Sequence, residues 1–138
     1  MKHGPILFID DDKDECELIK DALALKGINN ELICFSNARD ALGFLKQTTN
    51  QPFLIISDIN MPGMSGLELR QQIMEDETTK EKAIPFIFLT TSATDLAIKQ
   101  AYRMSVQGFF EKEHNIHRIA DLLQEICSYW QRCRHPNN

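Results

Sequence analysis

Residues 6–9, Ile6-Leu7-Phe8-Ile9, are all apolar, and the three that follow are all aspartate. A strand with one wetted face alternates apolar and polar residues, so an unbroken apolar run of strand length marks a strand covered on both faces. The pattern recurs along the chain. Leu32-Ile33-Cys34-Phe35 is a second run, Pro52-Phe53-Leu54-Ile55-Ile56-Ser57-Asp58 a third, Pro85-Phe86-Ile87-Phe88-Leu89 a fourth, and Val106 to Phe110 a fifth. Segments with apolar residues at helical spacing separate them. Cys16, Ile19, Ala22 and Leu23 precede a stop at Gly27. Ala41, Leu42 and Leu45 follow a cap at Ser36 or Asn37, and Leu67, Ile73 and Met74 follow the turn-rich Pro62-to-Gly66 loop. The charged stretch from Glu75 to Lys82 is expected to be the solvated end of that third helix and a connecting loop. Ala97, Ala101 and Met104 mark a fourth helix, and Ile116, Ile119, Ala120, Leu123, Cys127 and Trp130 a last one.

Five strand–helix units predict an α/β doubly wound parallel sheet with helices on both faces, joined by right-handed crossovers. In such a sheet all strands end on one edge, where ligands bind. The polar residues ending strands one, three, four and five are Asp10 and Asp11, Asp58, Thr90, and Lys112. Their convergence on one edge is the feature from which a function is read.

Three carboxylates gathered at one edge repel one another, and a divalent cation relieves the conflict. Magnesium fits best, because it prefers oxygen ligands and shares them with phosphate oxygens. Asp58, at the end of the central apolar strand, is the candidate nucleophile, since a carboxylate attacks phosphorus to give an aspartyl phosphate. That reaction needs in-line positioning and neutralised charge on the equatorial oxygens. Lys112 supplies a compact positive charge, and the Thr90 hydroxyl donates to a phosphoryl oxygen. Plainer readings stand beside these: Asp11 or Asp12 as the cap of the first helix, Thr90 as a structural hydroxyl, Lys112 as a surface charge.

Composition narrows the alternatives. Over 138 residues, 43% are hydrophobic and 25% charged, as in an ordinary globular chain able to bury a core unaided. A net charge of −5 and a pI near 5.3 weigh against direct nucleic-acid binding and against an anionic membrane surface. No secretory h-region or membrane-length apolar run occurs, so a cytoplasmic protein is expected. Cys16, Cys34, Cys127 and Cys133 lack metal or redox spacing and are expected to be reduced, core or half-buried thiols. His114 and His117 are expected on the surface. An acidic first strand–helix loop, where a flavin phosphate would want Ser, Thr and Gly donors, removes a flavin enzyme of similar fold.

The runs Ile6 to Asp12, Asp58-Ile59-Asn60-Met61-Pro62-Gly63-Met64-Ser65-Gly66, Pro85 to Thr90, and Gly108-Phe109-Phe110-Glu111-Lys112 resemble the receiver domains of two-component response regulators, in order and over essentially the whole chain. The resemblance implies a flavodoxin-like (CheY-like) sheet with strand order 2-1-3-4-5 and one receiver domain over residues 1–138 without an output domain. It implies phosphorylation of Asp58 by a histidine kinase or a His phosphotransfer protein. Asp10 and Asp11 match the acidic metal-binding pair, with Asp11 the more direct ligand, and Asn60 matches the residue giving a backbone carbonyl to the metal. Thr90 matches the switch hydroxyl, Lys112 the site lysine, and Phe109 the aromatic whose rotamer reports phosphorylation. Such a domain assists its own phosphorylation and dephosphorylation but is not a conventional enzyme.

Two positions depart from the family pattern. Glu113 stands where proline usually follows the lysine, so a cis bond is not expected there, and Thr91 stands where a small residue usually follows the switch hydroxyl. Together with Leu89-Thr90-Thr91-Ser92 and the Tyr129-Trp130 ending, these resemble small regulators paired with cyanobacterial phytochromes. That likeness implies a stand-alone receiver that passes its signal to an unidentified downstream protein, and a possible homodimer through the fourth and fifth helices. Trp130 is read either as core or as an interface anchor. Asn60 and Ser92 flank the route of hydrolytic water. A pseudo-receiver that binds partners without phosphate is the alternative reading.

Overall fold

The computed structural model describes residues 2–136. It forms a five-stranded sheet, β1 (Ile6–Ile9), β2 (Leu32–Phe35), β3 (Leu54–Ser57), β4 (Phe86–Thr90) and β5 (Gly108–Glu111). The order is β2-β1-β3-β4-β5, every pairing parallel. The helices are α1 (Lys13–Leu25), α2 (Ala38–Gln47), α3 (Gly66–Glu75), α4 (Glu77–Lys80), α5 (Asp95–Arg103) and α6 (Ile116–Arg132). The predicted fold class and strand order are therefore those observed.

Alternate residues of each apolar strand feed two cores. Leu7, Ile9, Ile55, Phe86 and Phe88 pack with α2, α3 and Ala101 of α5, while Ile6, Phe8, Leu54, Ile56, Ile87 and Leu89 pack with α1 and α6. Both faces being covered is why the central strands carry no polar alternation. The edge strand β2 is only half-buried.

Each helix starts on a side-chain cap, which fixes where the loops at the functional edge end. Asp12, of the two aspartates open to the role, caps α1 by accepting from the Asp14 amide at 2.9 Å. Asn37, not Ser36, caps α2. Ser65 and Glu68 close a reciprocal capping box on α3. Thr94 and Asn115 cap α5 and α6. Gly27, at φ 65°, takes the left-handed turn that ends α1.

Two expectations need correction. The Glu75-to-Lys82 stretch is not merely a solvated helix end and loop. Asp76 is extended, stops α3, and caps the short α4 by accepting from the Thr78 amide, and Thr79 is buried with its hydroxyl donating to Ile73 O at 2.7 Å. One residue thus serves both, its backbone amide donating to Gln72 O at the end of α3 and its carboxylate capping α4. The second correction concerns the cysteines: Cys16 and Cys34 are joined in a disulfide, with Cα atoms 6.2 Å apart, and only Cys127 and Cys133 are free thiols. A right-handed β1–α1–β2 crossover lays α1 over β2, and Cys34 lies on the same face of the sheet as Cys16.

No described helix is long and apolar enough to cross a membrane. The described residues contain no cis peptide bond, the Lys112–Glu113 bond included.

Candidate functional site

The carboxyl edge of the sheet gathers the residues that end the strands. Asp10 follows β1 and Asp58 follows β3; the Asp58 amide donates to Ile9 O at 2.9 Å, which ties the two strand ends together. Thr90 is the last residue of β4. Lys112 follows β5, and its amide donates to Thr90 O at 2.8 Å, extending the β4–β5 ladder one step beyond the strand. That bond fixes the lysine backbone where the expected proline is missing.

Asp10, Asp11 and Asp58 each place a carboxylate oxygen within 4.8 Å of the other two, Asp10 and Asp58 buried and Asp11 exposed. Into this cluster reaches the Lys112 ammonium, 2.6 Å from Asp10 Oδ2, 3.6 Å from Asp58 Oδ2 and 3.8 Å from Glu15 Oε2. The remaining acceptors are partly satisfied by main chain. The Asp12 amide donates to Asp10 Oδ1 at 2.9 Å, and the Ile59 amide donates to Asp58 Oδ1 at 2.7 Å. Thr90 is fully buried, with its hydroxyl 3.4 Å from Ser92 O.

The electrostatics are set first by burial. Burial pushes the Asp10 carboxyl above the usual range, against the hydrogen bond from Lys112, and the neighbouring Asp58 charge adds to the rise. Burial also raises Glu15, with Asp10, Asp12 and Asp58 adding to it. Burial alone would lower Lys112, but its hydrogen bond to Asp10 and the charges of Asp10, Asp58 and Glu15 outweigh it and hold the ammonium charged. Desolvation of Asp10 and Glu15 thus outweighs what the one lysine returns to them. An all-oxygen set of two buried carboxylates and one exposed one suits a hard divalent cation that keeps some of its water, so the residues present fit the metal expected of them.

A family description, the response regulator receiver domain, matches residues 6–124. The chain belongs to the response regulator receiver family. The response regulator Rcp1 of Synechocystis sp. is 29% identical over 130 residues, covering 91% of this chain and 87% of Rcp1. The structure titled the phosphorylated cyanobacterial phytochrome response regulator RcpA matches with a TM-score of 0.85 at 27% identity, covering 97% of this chain and 99% of that one. The Mn(2+)-bound form of Rcp1 matches with a TM-score of 0.80 at 28% identity, covering 95% and 97%. Similarity also extends to the DNA-binding transcriptional regulator NtrC of Escherichia coli, 29% identical over 138 residues, but this chain spans only 28% of its length.

In this receiver, the other predicted residues occupy varied surroundings. Asn60 is exposed and lines a cleft of about 330 Å³ with Ile59, Ser92, Ala93, Thr94 and Ala97. Phe109 is half-buried, 5.8 Å from the ring of Phe88. Trp130 is half-buried against the second core and stacks edge-on with Tyr129 at 5.0 Å. It walls an open cleft of about 490 Å³ beside β5, so it is neither wholly core nor wholly surface. His114 and His117 are exposed at the start of α6.

Three contributors escape a reading of strand ends. Glu15 stands in the first turn of α1, three residues after the Asp12 cap, and its carboxylate comes 3.8 Å from the Lys112 ammonium. The buried Ser57 hydroxyl donates to Asp58 O at 2.8 Å. Gly66 begins α3 against that same carbonyl: a Cβ there would collide with Asp58 O and lie 2.9 Å from Phe88 Cε1. A glycine eight residues after Asp58 carries no mark of this in the sequence.

Proposed function

We propose that this receiver is a phosphoacceptor switch of a two-component phosphorelay, taking a phosphoryl group on Asp58 from a histidine kinase or a His phosphotransfer protein. The observation that carries the reading is the convergence of Asp10, Asp11 and Asp58 oxygens within 4.8 Å, with the Lys112 ammonium 3.6 Å from Asp58. Support also comes from two similar structures, that of phosphorylated RcpA and that of Mn(2+)-bound Rcp1.

An oxygen of the Asp58 carboxylate attacks the donor's phosphorus; the bond from phosphorus to the leaving group breaks as the acyl phosphate forms. Asp58 Oδ1 is already held by the Ile59 amide, which leaves Oδ2, on the lysine side, to react. Lys112 neutralises an equatorial phosphoryl oxygen, and Thr90 turns its hydroxyl from Ser92 O towards another. Magnesium, held by Asp10, Asp11, Asp58 and the Asn60 carbonyl, supplies further charge neutralisation when bound. Movement of Thr90 frees space beside Phe88 for Phe109, which is half-buried and able to turn inward. The α5–β5–α6 surface then changes for a downstream protein or a second copy. The switch works only by the differential contacts of its two states.

Intact-mass spectrometry after incubation with magnesium and acetyl phosphate tests this. One magnesium-dependent phosphoryl adduct is expected, absent in Asp58→Asn. No adduct from either acetyl phosphate or a phosphorylated histidine donor would refute it and leave a phosphate-independent binding module.

A further inference from the structure

The phosphoacceptor reading makes no use of the Cys16–Cys34 link. It joins the first turns of α1 to the half-buried edge strand β2, closing a sequence separation of 18. The fold at that flank stands without it. Ile19, Ala22 and Leu23 bury α1 on the sheet, and β2 is laddered to β1 along four residues. Both cysteines are only half-buried, and both line an open surface cleft of about 600 Å³ with Lys20, Leu23, Gly27 and Ile28. Exchange chemistry needs that access, since a thiolate must approach one sulfur in line with the other. The remaining thiols are poor competitors: Cys127 is buried, and burial pushes its thiol up to about 11. Cys133 lies beyond the far end of α6.

We propose that Cys16 and Cys34 form a reversible thiol–disulfide site, exchanging with small-molecule or protein thiols, that clips the start of α1 to β2. Oxidation is a balanced exchange: the two protein thiols and one small-molecule disulfide give the protein disulfide and two small thiols. A dithiol reverses it, becoming the oxidised partner. The clip acts at a sensitive place. Cys16 directly follows Glu15, whose carboxylate is 3.8 Å from Lys112, and α1 is capped by Asp12 immediately after the acidic pair. Opening the disulfide removes a covalent restraint on the first turn of α1, the turn that holds Glu15 beside the lysine, and leaves it to its cap and packing alone. The oxidised form thus has the better-ordered acidic cluster, a consequence that rests on the phosphoacceptor reading.

The full chain is equilibrated in glutathione buffers of graded ratio, quenched with acid, alkylated with N-ethylmaleimide and mapped by peptide mass. Cys16 and Cys34 should pass together between a disulfide-linked peptide pair and two alkylated peptides, and dithiothreitol should reverse the change in the native protein. Cys133 should appear only alkylated or as a glutathione mixed disulfide, never in a disulfide-linked peptide pair with Cys16 or Cys34. Two outcomes overturn the site: both cysteines alkylated even in excess oxidised glutathione, or a disulfide that native protein never surrenders to dithiothreitol. In parallel, the rate of phosphoryl-adduct formation should fall at least threefold on reduction, with no such difference in Cys34→Ser under the same buffers. Equal rates in both redox forms would overturn the coupling to the acidic cluster. Absence of any adduct alongside normal cysteine exchange would instead count against the phosphoacceptor reading.

Discussion

Gly66→Ala is a substitution of one methyl group at a solvent-remote backbone junction, and its cost is set by what that methyl meets. An added Cβ collides with the carbonyl oxygen of Asp58 and comes within 3.0 Å of its carbonyl carbon and 2.9 Å of Phe88 Cε1. The obstacle is backbone, so no rotamer change relieves it. Gly66 is also tied in place, its amide donating to Ile59 O at 2.9 Å, and α3 is fixed by the Ser65–Glu68 capping box. Relief requires the start of α3 to retreat by roughly 1 Å from β3, and overpacking of this kind costs about 3 kcal/mol. The control is Gly43→Ala, in the middle of α2 with nothing within 4 Å, where better helix propensity should stabilise by about 0.5–1 kcal/mol. Urea unfolding followed by far-UV circular dichroism gives both values from the shift in midpoint at constant slope. Two alanines of opposite sign are expected. A Gly66→Ala protein within 1 kcal/mol of wild type would refute the claim that the β3–α3 approach admits only glycine. A destabilised variant whose Asp58 still accepts phosphate at the wild-type rate would show that the displaced carbonyl does not govern the carboxylate.

Other consequences can be measured on the same protein. Arg70 is buried, its guanidinium lies 5.4 Å over the Phe86 ring, and it donates to Met104 O at 3.0 Å and Ser105 O at 2.9 Å at the end of α5. Arg70→Met keeps much of the volume but strips both carbonyls of a charged donor, so a loss of about 3 kcal/mol in the urea midpoint is expected, with Arg70→Lys intermediate. Cys127, pushed up to about 11 by burial from an ordinary value of 9.0, favours the protonated folded state. Its contribution is full below pH 9 and is lost as pH rises towards 11, because the unfolded thiol ionises first; the two-unit gap corresponds to about 3 kcal/mol. Unfolding free energies at pH 8 and pH 11 should therefore converge in Cys127→Ala relative to wild type.

Much of this molecule can be read from its residues because the strands are buried on both faces. Ile6 to Ile9 and Phe86 to Leu89 have no polar interruption, and the polar residue that ends each run marks the sheet edge directly. Asp10, Asp58, Thr90 and Lys112 were therefore legible as one constellation, and the structure brings their strand ends together. The strand order came from family resemblance, since periodicity carries no information on which strands pair. The boundary at Asp76 was hidden because one aspartate caps two helices and the flanking charges imitate a frayed end. The disulfide was hidden by a different habit of reading. Cysteine spacing along the chain says nothing of a helix crossing over a strand, although Cys16 on the apolar face of α1 and Cys34 in β2 were both placed in elements that such a crossover stacks. Glu15 leaves no such mark, because it reaches the lysine from the first turn of a helix and not from the end of a strand.

The charge arrangement explains why one lysine is shared rather than assigned. Asp10, Asp58 and Glu15 lie within 4 Å of a single ammonium, and Asp11 stands beside the two aspartates, a formal excess of three negative charges at one edge. Lys112 rests closest to Asp10, at 2.6 Å, and a full ångström farther from Asp58 and from Glu15. If Asp58 accepts a phosphoryl group as proposed, the added oxygens would pull the ammonium harder than the carboxylate does, since charge-assisted contacts strengthen as negative charge concentrates. The lysine must then loosen from Asp10, and Asp10, already pushed upward by burial, is left short of a positive neighbour unless a cation takes that place. On the proposed function, metal binding and phosphoryl acceptance would be coupled through one side chain, Lys112, whose backbone amide is bonded to the carbonyl of Thr90, the proposed switch residue.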